Sequence, residues 1–359
     1  MKKILVKDLK PGMITAEDIY SIDGQLILSK DYVLEPESIL RLESFSIYSI
    51  RISDQVAPLS PEMVSLPPSN KERIRANPEF RAFRASFEEN VATLRTTLNQ
   101  VVTANSNFDA ENVLSQTLSL IGKSEQSSIS MMDMLLNMRD YDDSTYAHMV
   151  NCSILCNIFA GWLRFSQTDR ILATSCGLFH DIGNLRISED ILKKEGSLTF
   201  REKEVVKRHA LEGYNILGAQ KLHPEIKNAA LMHHERNDGS GYPYGFTADK
   251  ISRFSKMVAI VDVYNAMTSK RSYRKAICPF TVVEELQEDE YSKYDPDMMM
   301  TFLKNVCNSF IGNRVRLSNG IEGEVVFIHP EAITRPTIQC GQKFLDLSMH
   351  KDIKVLAII

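Results

Sequence analysis

The spacing of apolar positions changes three times along the chain. Residues 1–56 alternate short apolar runs with turn signals. Asp23-Gly24 separates the extended segments of YSIDGQLIL and predicts a hairpin. Glu35 to Phe45, with Pro36 in its first turn, predicts one short helix before the strand-like IYSIRI. A small α+β module is expected here. The proline- and serine-rich APLSPEMVSLPPSNKER then reads as a linker. Beyond it Phe80, Phe83, Phe87, Val91, Leu94, Leu98 and Val101 recur at steps of three and four, one apolar stripe on a long helix. The stripe leaves two readings open: packing against the next domain, or the seam of a homodimer through the helix around 80–101.

From 125 to 308 the period is almost wholly helical. Pro224, Pro279 and Pro296 each sit where a helix would open. Thr199 and Glu202 frame a capping box, and the helix they start is expected to carry His209 in its interior. Beyond Phe310 the period returns to that of strands, with Asn319-Gly320 turning between β-rich runs. The expected organisation is a module at 1–56, linker and connecting helices at 57–124, a helical domain at 125–308 and a β-rich extension at 309–359. The fold class is mainly α.

Composition changes this picture little. Among 359 residues, 43% are hydrophobic and 25% charged, ordinary for a globular protein. A formal net charge of −4 gives no basic stripe, so no DNA or RNA partner is expected. A polyanionic substrate would have to be met locally, by metals or placed arginines. No apolar run reaches the length of a membrane span, about 18 residues, and MKKILVKDLKPGM lacks a signal-peptide core. The six cysteines form no C-x-x-C pair. A cytoplasmic location fits that usage.

The histidines change it more. Six of eight fall between 148 and 234. His148 lies on an apolar helix, and His180-Asp181 follows the helical run RILATSCGLF. His233 and His234 close another helix and lead into the glycine-rich RNDGSGYP. Adjacent helical residues point about 100° apart, so both histidines reach one site only if it wraps the helix end. Asp262 interrupts the apolar MVAIVDVYNAM, where an unpaired carboxylate would be costly. Several helices each donating nitrogen or oxygen ligands inward describe a metal site in a bundle, and imidazole mixed with carboxylate suits iron, manganese or zinc. The seven candidates His148, His180, Asp181, His209, His233, His234 and Asp262 exceed one tetrahedral set. Two metals about 3.5–4 Å apart, sharing a carboxylate, are the natural arrangement. His223, just before Pro224, matches no ligand position and reads as structural, and Glu235 reads as a residue capping or orienting a ligand.

HD at 180–181, HHE at 233–235 and DGSGYP at 238–243 resemble the HD-GYP family of cyclic di-GMP phosphodiesterases. The likeness extends through the sequence around His209 and through VDVYNAMTSKRSYR, and covers about half of the chain. It implies an all-helical HD-type catalytic bundle binding two divalent metals, iron or manganese. Asp181 would bridge them, with His148, His180 and Asp262 on one and His209, His233 and His234 on the other. An activated hydroxide would open cyclic di-GMP to pGpG, or on to GMP. Arg271 and Arg274 fall where the family contacts substrate phosphates. Gly241, Tyr242 and Pro243 would form the signature loop beside the cleft, which in relatives also meets GGDEF-type partners. Three positions depart from the family. Asn184 replaces a lysine near the scissile phosphate, so a weakly active or inactive cyclic di-GMP receptor, or an enzyme for another cyclic dinucleotide, is the alternative. Ser144 stands where members with a third metal carry glutamate, although Asp142 and Asp143 are near, and Glu195 replaces a frequent proline.

Overall fold

The computed structural model describes residues 2–10, 12–20, 26–34, 38–39, 42, 47–53, 69–104, 108–138, 145–269, 276–288 and 291–359. The chain forms two compact units, Met1–Pro68 and Ser69–Ile359.

In the first unit, strand β1 (Lys2–Leu5) pairs antiparallel with β4 (Ser49–Ile52), and β2 (Ile19–Tyr20) with β3 (Leu26–Leu28). Val6, Leu9, Leu34, Leu42 and Ile50 fill a small core of their own. Asp23-Gly24 and most of the helix expected at 35–45 lie outside the described residues.

The second unit is a helical bundle carrying a sheet. Its helices are α1 (Asn70–Ala76), α2 (Pro78–Ala104), α3 (Ala110–Ser124), α4 (Met131–Met138), α5 (Thr145–Trp162), α6 (Gln167–Phe179), α7 (Glu189–Leu192), α8 (Phe200–Lys207), α9 (His209–Gly218), α10 (Pro224–Met232), α11 (Arg253–Thr268), α12 (Pro279–Glu288) and α13 (Pro296–Asn308). The three prolines open their helices as their fixed φ favours. Helices α5 and α11 are apolar nearly all round, as buried helices are, and both run through the centre.

Two expectations are corrected here. The stripe on α2 is no dimer seam: Phe80, Phe83, Phe87, Val91, Leu94 and Leu98 are each no more than 4% exposed, covered by the chain's own core. A face already buried in one protomer has no apolar area left to drive association. The second concerns His209, which opens α9 and does not lie inside the capped helix α8. The His209 ring meets the Val206 carbonyl, Nδ1 to O 2.6 Å, and Arg208 N–H turns back to the Val205 and Val206 carbonyls. A side chain competing for the backbone acceptor ends α8 there.

The capping box itself forms, with Thr199 Oγ1 accepting from Glu202 N–H and Glu202 accepting from Thr199 N–H. The Lys194 ammonium and the two Thr199 hydrogen bonds hold the Glu202 carboxyl at about 2, below its ordinary 4.5. A lowered pKa stabilises the fold fully above the ordinary value, and the contribution wanes as pH falls toward the folded one. The Tm difference between wild type and Glu202→Gln is therefore expected to be constant above pH 4.5 and to close near pH 2, which calorimetry across pH would show.

Strands β5 (Arg314–Leu317), β6 (Glu322–His329), β7 (Ala332–Cys340), β8 (Lys343–Asp346) and β9 (Val355–Ile358) form one antiparallel sheet in the order β8-β7-β6-β5-β9. Val315, Leu317, Val325, Ile338 and Leu347 join the same core as the helices. Glu284 on α12 ties the sheet down through Arg335 (3.2 Å) and Lys354 (2.9 Å). Among the described residues, no helix is long and apolar enough to cross a membrane.

Candidate metal centre

Residues spread from 148 to 262 meet at one point because five segments end or pass there. His148 projects from the first turns of α5, and Asp262 from the middle of α11. His180 caps the C-terminus of α6, and Asp181 begins the tight turn Ile182–Arg186. His209 starts α9; His233 caps α10, and His234 follows it past the helix end. The adjacent histidines converge because the helix stops between them, with ring centroids 4.1 Å apart.

Asp181 stands at the centre with its two oxygens facing opposite ways. Oδ2 looks toward Nε2 of His148 (3.8 Å) and His180 (3.7 Å). Oδ1 looks toward Nε2 of His209 (3.4 Å) and His233 (3.7 Å). Asp262 Oδ1 lies 3.0 Å from His148 Nε2 and 3.9 Å from His180 Nε2, and its Oδ2 lies 4.0 Å from His234 Nδ1. The seven side chains thus fall into two sets that share Asp181.

Four observations show that these residues fit divalent cations. His180, His209 and His233 each set Nδ1 against a backbone carbonyl, of Gly177 (2.8 Å), Val206 (2.6 Å) and Ala229 (3.0 Å). A carbonyl only accepts, so each proton sits on Nδ1 and a lone pair remains on Nε2. The Nε2 atoms of His209 and His233 are 3.2 Å apart, two lone pairs that repel unless both are directed at a shared cation. His180 Nε2 is buried with no hydrogen-bond partner. Finally, the charges do not balance without one. Burial by itself would raise both carboxyl groups; protonated histidines around them would outweigh it and hold Asp181 and Asp262 well below the carboxylate range, a compensation that imidazoles kept neutral leave to a bound cation. Burial pushes His233 and His234 down, leaving neutral imidazoles beside two buried anions. Uncompensated buried charge of that kind is costly.

Cys152, one turn after His148, was not singled out by the sequence, although it stands among the first set. Its Sγ is 3.9 Å from His148 Nδ1 and 3.7 Å from Nε2. Being almost equidistant from both nitrogens, the sulfur packs over the ring face and off the Nε2 lone-pair direction. Asn265, also missed, approaches His148 Nδ1 at 2.8 Å. The signal was present: Asp262 and Asn265 are three apart in an apolar run, hence on one helix face.

The glycine-rich loop forms the rim. Tyr242 stacks on His234, centroids 4.6 Å apart at 26°, and Tyr242 N–H donates to the His234 carbonyl. Burial keeps its phenol protonated, so it is a neutral donor beside the site. Gly241 is required by close approach: a Cβ there would stand 2.5 Å from the backbone of His234, Glu235 and Arg236. Pro243 follows through a cis peptide bond.

Glu235 does not orient a metal ligand by hydrogen bonding. It is 2% exposed, and its carboxylate accepts Tyr244 N–H (2.8 Å) and Phe246 N–H (2.9 Å), pinning the loop. In Glu235→Gln one of those amides would face an –NH₂ group. We expect the variant to lose about 1.5–3 kcal/mol, with faster hydrogen exchange at Tyr244 and Phe246 and unchanged metal content. His223 Nδ1 accepts Glu225 N–H at 3.3 Å and caps α10, a structural role. Asn184 is half-buried one turn beyond Asp181, and Glu195 is exposed. Arg271, Arg274, Ser144, Asp142 and Asp143 lie outside the described residues.

Comparison with known proteins places this arrangement in a context. A family described as HD domain matches residues 111–298. The chain is 32% identical over 206 residues to the cyclic di-GMP phosphodiesterase PA4108 of Pseudomonas aeruginosa, covering 57% of this chain and 50% of that protein. It is 31% identical over 160 residues to 3'3'-cGAMP-specific phosphodiesterase 3 of Vibrio cholerae, covering 45% of this chain and 35% of the other. The chain therefore spans half or less of the length of these relatives. A solved HDG"Y"P protein from Bdellovibrio bacteriovorus, Bd1817, shares the fold, with TM-score 0.52 and 14% identity over 85% of this chain and 99% of that one.

Proposed function

Because the chain belongs to the HD domain family, we propose that it is a metal-dependent phosphodiesterase that opens cyclic di-GMP to linear pGpG. The observation that carries the proposal is the double-faced Asp181, with one oxygen toward each histidine set. His148, His180 and Asp262 would hold one ion, and His209, His233 and His234 the other. Iron or manganese suits this hard and borderline donor set. When bound, two such ions would neutralise phosphate charge and lower the pKa of a bound water toward neutrality.

The chain's own residues supply the rest. The hydrogen bonds from Nδ1 to carbonyls fix three imidazoles, so the site needs little reorganisation when substrate arrives. Tyr242, pinned through the Glu235-anchored loop, walls the opening beside His234 and offers a hydroxyl to a phosphate or base. Arg271 and Arg274 are the cations we assign to the substrate phosphates. Among the described residues no reacting side chain of the Ser/His/Asp kind competes, since the histidines of the site face one another and Asp181 or Asp262.

Asn184 favours a second reading. An amide at that position cannot balance charge on the scissile phosphate, so the protein would bind the nucleotide and return it intact. Anaerobically purified protein of measured metal content, incubated with cyclic di-GMP and 3'3'-cGAMP and resolved by chromatography, decides between them. Conversion of cyclic di-GMP by the loaded protein alone is expected. Undiminished hydrolysis after metal removal overturns the proposal. Bound but intact nucleotide, with turnover restored in Asn184→Lys, establishes the receptor, and conversion of cGAMP alone changes the substrate.

A further inference from the structure

His148 differs from His180, His209 and His233 in what holds its second nitrogen. His180, His209 and His233 rest Nδ1 on carbonyls, which fixes one tautomer. His148 Nδ1 instead lies 2.8 Å from the side-chain amide nitrogen of Asn265, and its Nε2 lies 3.0 Å from Asp262 Oδ1. An amide nitrogen only donates and a carboxylate only accepts. In this arrangement the proton sits on Nε2 and is given to Asp262, so His148 offers no lone pair to a cation.

A half-turn of the Asn265 amide reverses that state. Oδ1 would then accept from Nδ1–H and free the Nε2 lone pair. The –NH₂ group would move toward Ser269 Oγ, which now lies 3.2 Å from Oδ1, and a hydroxyl accepts as readily as it donates. In the present orientation Nδ2 also reaches Cys152 Sγ at 3.5 Å, a weak acceptor. Both orientations are satisfied, and at 6% exposure little water reaches Asn265 to compete.

We infer that Asn265 is a positioning residue that selects the tautomer of His148: one amide orientation hands its proton to Asp262 and closes the first site, and the other frees Nε2 to hold the metal. The inference rests on the metal reading given above. It makes His148 the releasable ligand of the set and the Asp262 side the exchangeable site. A carboxylate at 265 accepts from Nδ1–H only, and an aliphatic side chain supports neither tautomer.

The test uses the whole chain labelled with ¹⁵N-histidine, with zinc as a diamagnetic probe metal and His148→Ala to assign the resonances. Long-range ¹H–¹⁵N correlations should place the His148 proton on Nε2 without metal and on Nδ1 with zinc, while His180, His209 and His233 keep Nδ1–H in both. In Asn265→Asp the Nδ1 proton should be present before zinc is added. Asn265→Leu should weaken zinc at this site about 10–100-fold in chelator competition, as loss of a partner behind a ligand does. His148 carrying Nδ1–H in the metal-free wild type would overturn the inference. So would unchanged zinc affinity in Asn265→Leu. If wild-type protein fails to take up zinc, the metal reading itself fails, an outcome the competition experiment separates from the other two. The isosteric Asn265→Asp keeps the test open should the leucine variant not fold.

Discussion

Asp181→Ala is expected to lower cyclic di-GMP turnover by at least about 10³-fold and to strip both metals together. Removing a single preorganised electrostatic group costs about 10²–10³ in turnover. Asp181 does more than one such group, because its two oxygens each face two histidines, one pair in each set, at 3.4–3.8 Å. Without it the Nε2 lone pairs of His209 and His233, 3.2 Å apart, lose the carboxylate oxygen that would hold a cation together with them. Asp181→Asn refines the result. The amide keeps the shape of the side chain, so packing survives, but it removes the charge and presents an –NH₂ group to one imidazole set. Both variants should be inactive, and the asparagine form should keep a Tm near wild type. Metal content by elemental analysis and turnover by chromatography read the two losses separately. An Asp181→Ala protein that retains one full equivalent of metal and normal turnover would show that the carboxylate does not bridge.

Gly183→Ala should be nearly as damaging without touching a ligand. A Cβ at 183 would land on the His209 carbonyl and 2.5 Å from Gly213 N. Both are backbone, so no flexible side chain can yield, and the turn carrying Asp181 must part from α9. That separates Asp181 from His209, today 3.4 Å apart. We expect about 3 kcal/mol of lost stability, the upper end of ordinary overpacking, together with loss of the metal held by His209, His233 and His234. Gly218→Ala is the control: its Cβ would meet nothing within 4 Å. Thermal unfolding and metal analysis of the pair should show a large effect at 183 and almost none at 218.

The candidate ligands were legible because buried chemistry disturbs a pattern. Asp262 stands in an apolar run, and His233-His234 ends a helical one, so each marks itself by violating its surroundings. Glu235 marked itself as well, but its partners did not, since backbone amides such as those of Tyr244 and Phe246 have no sequence signature. Helix ends were read less well where a side chain intervened. The cap at Thr199 is a local signal and forms as expected; the break at Arg208 follows from the His209 ring taking a carbonyl, which depends on where that ring is needed.

The sequence by itself determined the mainly α class, the elements that carry His148, His180, Asp181, His233, His234 and Asp262, and the family likeness. Each rests on period, capping or residue chemistry, properties local in the chain. Only the tertiary structure decided that the stripe from Phe80 to Leu98 is core and not an interface. It also decided which histidine faces which oxygen of Asp181, and that His148 alone rests on an amide able to turn either way. Those are facts about distances between residues far apart in sequence, and periodicity carries no information about which buried faces meet.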